Sequence, residues 1–337
     1  MSEREIGKFV LCAIGMTEQL PSPDEHDLPG GQVASTSGLR SWFRPPFRNQ
    51  GGLSALQFIP FYAAVGIILF LLLWTLVSYL LPPGVSRLWG ELLGEAVFAV
   101  SAIAPAFAIA AIEDRPFGIY GLPPRQAFGK LFWSGVIWGL VSLSVLLLLM
   151  DLFGVFSFGG LALHGVRIWK FAAFWAVFFL LVALFEEFAF RGYPLFAFSE
   201  AAGFWPSALL LSVIFGYTHR GNAGETWVGA LGAAAIGLFF CFTLRRTGNL
   251  WFAVGLHASW DWAQSYLYGV PDSGAVMPGH LLQSSLHGSR WITGGTVGPE
   301  GSVLVFVVIA GMWVVFDRIY PRKANSPQRH RDTEVPV

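Results

Sequence analysis

Eight apolar stretches divide the chain, at about 57–81, 92–112, 131–153, 170–198, 204–219, 226–244, 249–267 and 301–318. Each approaches the roughly 20 residues needed to cross the hydrocarbon core of a bilayer. Lipid offers no partner to an unpaired backbone group, so such stretches must be helices. No series of alternating ten-residue segments suggests a barrel. The pattern predicts an all-α, polytopic membrane bundle of about eight transmembrane helices over residues 51–320. The first, third and eighth stretches are plain lipid-facing runs. The second is Ala-rich and carries Glu91 and Glu95, which suggests a partly amphipathic helix.

Composition agrees with that class. Apolar residues make up 54% of the chain and charged residues 12%, with mean hydropathy +0.58. Soluble domains carry roughly 25% charged residues. The 21 Lys and Arg balance the 21 Asp and Glu, so charge gives no argument for nucleic-acid binding. Cys12 and Cys241 are expected to be free thiols, one in a polar tail and one in an apolar stretch.

Charge placement predicts orientation. With the N-terminus in the cytoplasm and eight crossings, 16 of the 21 basic residues fall on the cytoplasmic side. Arg87, Arg167, Lys170, Arg220 and Arg290 fall on the other. That bias predicts both termini inside a multi-pass membrane protein, in the plasma (inner) membrane if the source is bacterial. Residues 1–50, rich in Pro, Gly, Ser and acids, read as a disordered cytoplasmic tail. Residues 321–337 read as a short basic tail, and the Gly- and Ser-rich stretch 268–300 as an outside loop.

Ionisable side chains at the centre of a span cost on the order of 2.5–3.5 kcal/mol each, so they mark functional sites by default. Three apolar segments carry them. The fourth reads Phe185-Glu186-Glu187-Phe188-Ala189-Phe190-Arg191. The fifth ends Phe215-Gly216-Tyr217-Thr218-His219, and the seventh contains His257-Ala258-Ser259-Trp260-Asp261. Glu187 and Arg191, Phe215 and His219, and His257 and Asp261 are each four apart and share a helix face. Glu186 lies about 100° round from Glu187, with its carboxylate free.

Depth lets the three segments meet. Glu186 precedes, and His219 follows, the turn near Ala202 and Gly203 by about 16 residues. Both stand very roughly 20 Å from that turn if the helices are straight and the fourth span continues through Pro194. His257 and Asp261 stand roughly 15 and 21 Å beyond the next turn on the same side. Four polar groups on three helices therefore share one layer, expected in the cytoplasmic half or middle of the membrane, with a substrate tail entering from the cytoplasmic side.

Glu186-Glu187-x-x-x-Arg191, Phe215-x-x-x-His219 and His257-x-x-x-Asp261, in that order, resemble the three motifs of the CPBP family. That family includes the type II CAAX prenyl endopeptidases, the Abi proteins and bacteriocin-processing or self-immunity proteins. The resemblance places a protease-like core at about 165–270 and implies peptide-bond hydrolysis inside the membrane. Under it, Glu186 is the general base that activates water and His219 holds the same water. His257 and Asp261 face the scissile carbonyl and stabilise its oxyanion. Asp261 can donate to an oxyanion only when protonated; otherwise it orients His257. Glu187, Arg191 and Phe215 are supporting residues, with Glu187 a further candidate for a share in catalysis.

No obligatory cofactor is expected. One carboxylate and two imidazoles, Glu186, His219 and His257, nevertheless make a candidate zinc set. The implied partners are the lipid bilayer and a membrane-associated or lipidated protein or peptide, prenylated or not. Two other readings are a non-catalytic immunity or scaffold protein and an ion-coupled transporter, which would show repeats with broken helices in paired positions.

Overall fold

The computed structural model describes residues 53–81 and 87–321. The expected 1–50 tail with Cys12 lies outside these residues, as does the 321–337 tail apart from Pro321. All eight apolar stretches are helical. The helices are α1 (Leu53–Gln57), α2 (Ile59–Leu80), α3 (Arg87–Glu113), α4 (Lys130–Leu152), α5 (Val166–Arg191) and α6 (Tyr193–Ala202). They continue as α7 (Phe204–Thr218), α8 (Trp227–Thr247), α9 (Trp251–Trp262), α10 (Arg290–Thr293) and α11 (Leu304–Ile319). One two-residue ribbon joins β1 (Phe156–Ser157) to β2 (Ser285–Leu286). Five segments are long and apolar enough to cross a membrane: Ala55–Leu80, Arg87–Glu113, Lys130–Leu152, Val166–Ala202 and Trp227–Thr247. The protein is an all-α membrane helix bundle.

The main departure from the expected spans is in the fourth. The helix does not run through Pro194. It stops at Arg191, Gly192 leaves helical geometry (ψ −123°), and α6 restarts with Pro194 in its first turn. Proline lacks the N–H an interior helical residue must donate, and it is tolerated only in a first turn. The long stretch therefore resolves into two helices.

Cross-contacts fix the directions of the helices. Tyr62 donates to the Ala102 carbonyl and Phe70 stacks on Phe98, so α2 and α3 are antiparallel. Trp89 meets Phe174 and Phe98 meets Phe185, so α3 and α5 run the same way. Ser212 lies beside Cys241 and Gly216 beside Ala230, which makes α7 and α8 antiparallel. Loop 114–129, turn 248–250 and helix α6 gather at one end, called here proximal. There Leu250 donates to the Gly121 carbonyl and Asn249 to Gln126. Loops 153–165, 219–226 and 268–303 gather at the opposite, distal end. The backbones of Ala162 and Leu281, and of His287 and Val155, hydrogen-bond there.

Helix α9 is the axis of the bundle. Ten of its residues, Trp251 to Leu256 and Ala258 to Asp261, are buried. A helix covered on every side belongs to a core. It can approach α4 closely because Gly135 and Gly139 have no side chain. A Cβ at Gly135 would stand 2.1 Å from the Phe252 carbonyl oxygen, and one at Gly139 would stand 2.1 Å from Ser259 Oγ. The outermost helix, α2, shows the opposite pattern. It buries no side chain and presents Ile67, Leu71, Leu72 and Leu76 outward, as lipid contact requires.

Gly139→Leu is expected to cost at least about 1–3 kcal/mol, the usual penalty for overpacking a filled interface. Thermal unfolding in detergent would show a lowered midpoint. An unchanged midpoint would mean that α4 and α9 separate without penalty.

Candidate active site

The site begins with a residue that reaches no solvent. Glu187 is 0% exposed, and Arg191, one turn on, is 1% exposed. Arg191 Nη1 donates to Glu187 Oε1 at 3.2 Å. The guanidinium stacks over Phe215 at 4.1 Å and lies 5.7 Å from the rings of Phe190 and Phe240. Aromatic faces suit a weakly hydrated, delocalised cation, and such contacts strengthen when water is excluded. Phe215 thus supports the site by covering Arg191.

The same carboxylate oxygen reaches α9. Glu187 Oε1 stands 3.0 Å from His257 Nδ1. A carboxylate only accepts, so Nδ1 carries the proton and donates. That choice turns Nε2 toward Glu186 Oε2 at 3.7 Å and Asp261 Oδ2 at 3.4 Å. Phe240 stacks on the imidazole and fixes its plane. Glu187, expected as a supporting residue and a candidate for a share in catalysis, is therefore in direct contact with His257.

His219 is held in a similar way. It lies one residue beyond the end of α7, and its Nδ1 stands 2.8 Å from the Phe215 carbonyl. A carbonyl accepts, so Nδ1–H donates and Nε2 is left as a free acceptor. The ring also meets Phe215 edge-on at 4.5 Å. His219 makes no ion pair with the carboxylates among the described residues; it lines the same cavity as Glu186, His257 and Asp261.

That cavity holds about 480 Å³. Its walls are apolar along α5 (Phe178, Phe179, Val182 and Phe185) and narrow along α8, where Gly229, Gly232 and Ala233 face it. The chemistry-bearing groups sit in its middle. Its far part is lined by Asn222 and Glu225 from one distal loop and by Asp272, Ser273, Met277 and Glu300 from another. The lining thus extends from the polar layer toward the distal loops. Helix α7 has only 15 residues, so His219, past its last turn, is already at the distal end.

Several cavity residues escaped the reading of spacing alone. Glu95 sits in an apolar helix and lines the cavity, though nothing in its sequence neighbourhood marked it as more than structural. Asp272 and Glu300 belong to the supposed outside loop, which folds back over the site. Ser265 Oγ donates to Asp272 Oδ2 at 2.7 Å, and the Ser273 amide donates to Glu300 Oε1 at 2.7 Å. Gln264 Nε2 donates to the Pro271 carbonyl at 2.8 Å and ties the loop to the end of α9. Burial pushes the Asp272 carboxyl up from 3.8 to about 6, against the pull of the Ser265 bond and His257. Burial also raises Glu300, reinforced by Asp272 and Asp261.

Among the described residues no three His, Cys, Asp or Glu side chains converge closely enough to hold an ion.

Arg191→Ala is expected to destabilise the fold by about 3–5 kcal/mol, because it leaves Glu187 buried without its guanidinium partner and with His257 alone to bond it. Unfolding in detergent measures this, and Glu187→Gln with Arg191→Met should recover part of the loss. Asp272 makes a prediction about pH. Its folded-state pKa lies above its unfolded one, so its contribution to stability is complete below about pH 4 and lost as pH rises through about 6. Asp272→Asn should flatten the unfolding midpoint over that window. An unaltered pH profile would rule out Asp272 as the titrating group.

Residues 167–263 match the family model described as type II CAAX prenyl endopeptidase Rce1-like. Comparison with curated proteins and with solved structures returns no match. The matched residues carry all three motifs, from Glu186 to Asp261, so this multi-pass membrane chain contains a domain of the CPBP, or CAAX-type, intramembrane protease family.

Proposed function

We propose that the protein is a glutamate-dependent intramembrane endopeptidase that hydrolyses a peptide bond in a membrane-associated or lipidated protein or peptide. The observation that carries this reading is the shared cavity. It places a carboxylate with 25% of its side chain exposed, Glu186, beside an oriented imidazole, His257. Glu187, by contrast, is closed off and engaged on both sides.

The step follows from which atoms are free. Glu186 takes a proton from water while the water oxygen attacks the scissile carbonyl carbon. His219 Nε2 accepts the water's other hydrogen and aims its lone pair. Charge that gathers on the carbonyl oxygen is met by His257 as an imidazolium, with Nδ1–H on Glu187 and Nε2–H turned to the cavity, and by Asp261 in its protonated form. The proton on Glu186 then passes to the leaving amine as the C–N bond breaks, so the carboxylate is regenerated. Apolar walls around the groups exclude competing water. The buried Glu187 holds the Nδ1–H side of His257 and so orients the ring without touching substrate. In this reading Glu186 activates the water without an obligatory metal.

Glu186→Ala should lower the rate of cleavage of a membrane peptide by roughly 10²–10⁴-fold, the range for loss of a general base. The variant should keep its unfolding midpoint. Undiminished cleavage would remove Glu186 from the mechanism. A chelator titration with metal analysis of the purified protein addresses the cofactor; loss of activity restored by zinc would overturn the metal-free reading.

A further inference from the structure

The substrate's direction of approach rests on two independent observations. The first is the position of the cavity. Glu186 and His257 line it beside Phe240 and Leu256, His219 lies at the distal end of its helix, and the lining continues to Asn222, Glu225 and Ser273 in the distal loops. Ser273 is exposed, and Ala275 beside it is exposed too. At the proximal end the bundle is closed by packing. Trp251 donates to the Pro123 carbonyl, Tyr193 packs on Tyr120, and Trp138, Phe239, Phe252 and Phe316 fill the space between helices.

The second observation is charge. The five basic residues at the distal end are Arg87, Arg167, Lys170, Arg220 and Arg290. The proximal end carries Arg115, Arg125, Lys130, Arg245, Arg246 and Arg318. In sequence, Arg40, Arg44 and Arg48 also flank the first span, and Arg322, Lys323, Arg329 and Arg331 flank the last. Basic residues near span ends are retained in the cytoplasm, and the count weighs those within about 15–20 residues of a span. Thirteen against five puts the proximal end inside.

We infer that the cavity opens on the extracytoplasmic side. Its substrate class is then a membrane-associated peptide segment presented from outside, such as the tail of an exported or membrane-anchored chain, rather than a lipidated cytoplasmic C-terminus. The substrate part of this inference rests on the hydrolase reading above; the orientation part does not.

Two measurements on the full chain in a bacterial cytoplasmic membrane keep these parts separate. In a Cys12→Ser background, where Cys241 is buried, Ala275→Cys should react with a membrane-impermeant maleimide in intact cells. Pro124→Cys, exposed at the proximal end, should react only after permeabilisation. The reverse pattern would overturn the orientation. For the substrate, a single-span apolar peptide is given a reporter tail on either side. The outside tail should be lost, and Glu186→Ala should prevent the loss. Loss of the cytoplasmic tail alone would overturn the inference. With Ala275→Cys labelled from outside, loss of neither tail would keep the orientation and remove the hydrolase reading instead.

Discussion

A carboxylate with no exposed surface, Glu187, holds a guanidinium on its own helix and an imidazole on another. Three helices are tied together by this contact. Glu187 and Arg191 belong to α5, Phe215 lies under the guanidinium from α7, and His257 projects from α9. Burying charge in an apolar bundle is costly, and pairing offsets part of that cost, although Glu187 Oε2 and Arg191 Nε and Nη2 make no hydrogen bond among the described residues. The pairing therefore restricts how α5 can sit against α9. It also leaves a neighbouring carboxyl, Glu186, one residue earlier and lining the cavity. The group that is free to react owes its position to the group that is not.

The two histidines show the same economy of construction. Each spends Nδ1 on a fixed acceptor, Glu187 in one case and the Phe215 carbonyl in the other, and keeps Nε2 for the cavity. The i to i+4 spacing of Phe215 and His219 is what lets the helix's own carbonyl orient the ring. Glycine does comparable work at larger scale. Gly135 and Gly139 let α4 and α9 touch backbone to side chain, which centres His257 and Asp261 in the bundle.

The loop between α9 and α11 alters the site most. The five-residue π-helical segment Ala263–Leu267 carries Gln264 and Ser265 beneath it, and both bind the returning chain. Asp272 and Glu300 thereby join a cavity already lined by Glu95, Glu186 and Asp261. A loop that supplies carboxylates to the site also borders its distal end, so Asp272, Ser273 and Glu300, outside the matched family region, share the mouth with Asn222 and Glu225 inside it.

The helical character of the eight apolar stretches and the three polar motifs were legible in the sequence because each depends on local rules. Span length, a fourfold helical spacing and the cost of charge in lipid all act within a few turns of chain. The pairing of Glu187 with Arg191 was legible for the same reason. The break at Gly192 was partly written in Pro194, but an apolar run of that length masked it. Three features depended on elements far apart in sequence. The bond from Glu187 to His257 spans 70 residues, the return of Asp272 and Glu300 needs the whole 268–303 loop, and Glu95 enters from α3. Periodicity states which face of a helix a side chain occupies. Only packing of one helix on another decides what that face meets and to which end of the bundle the resulting cavity leads.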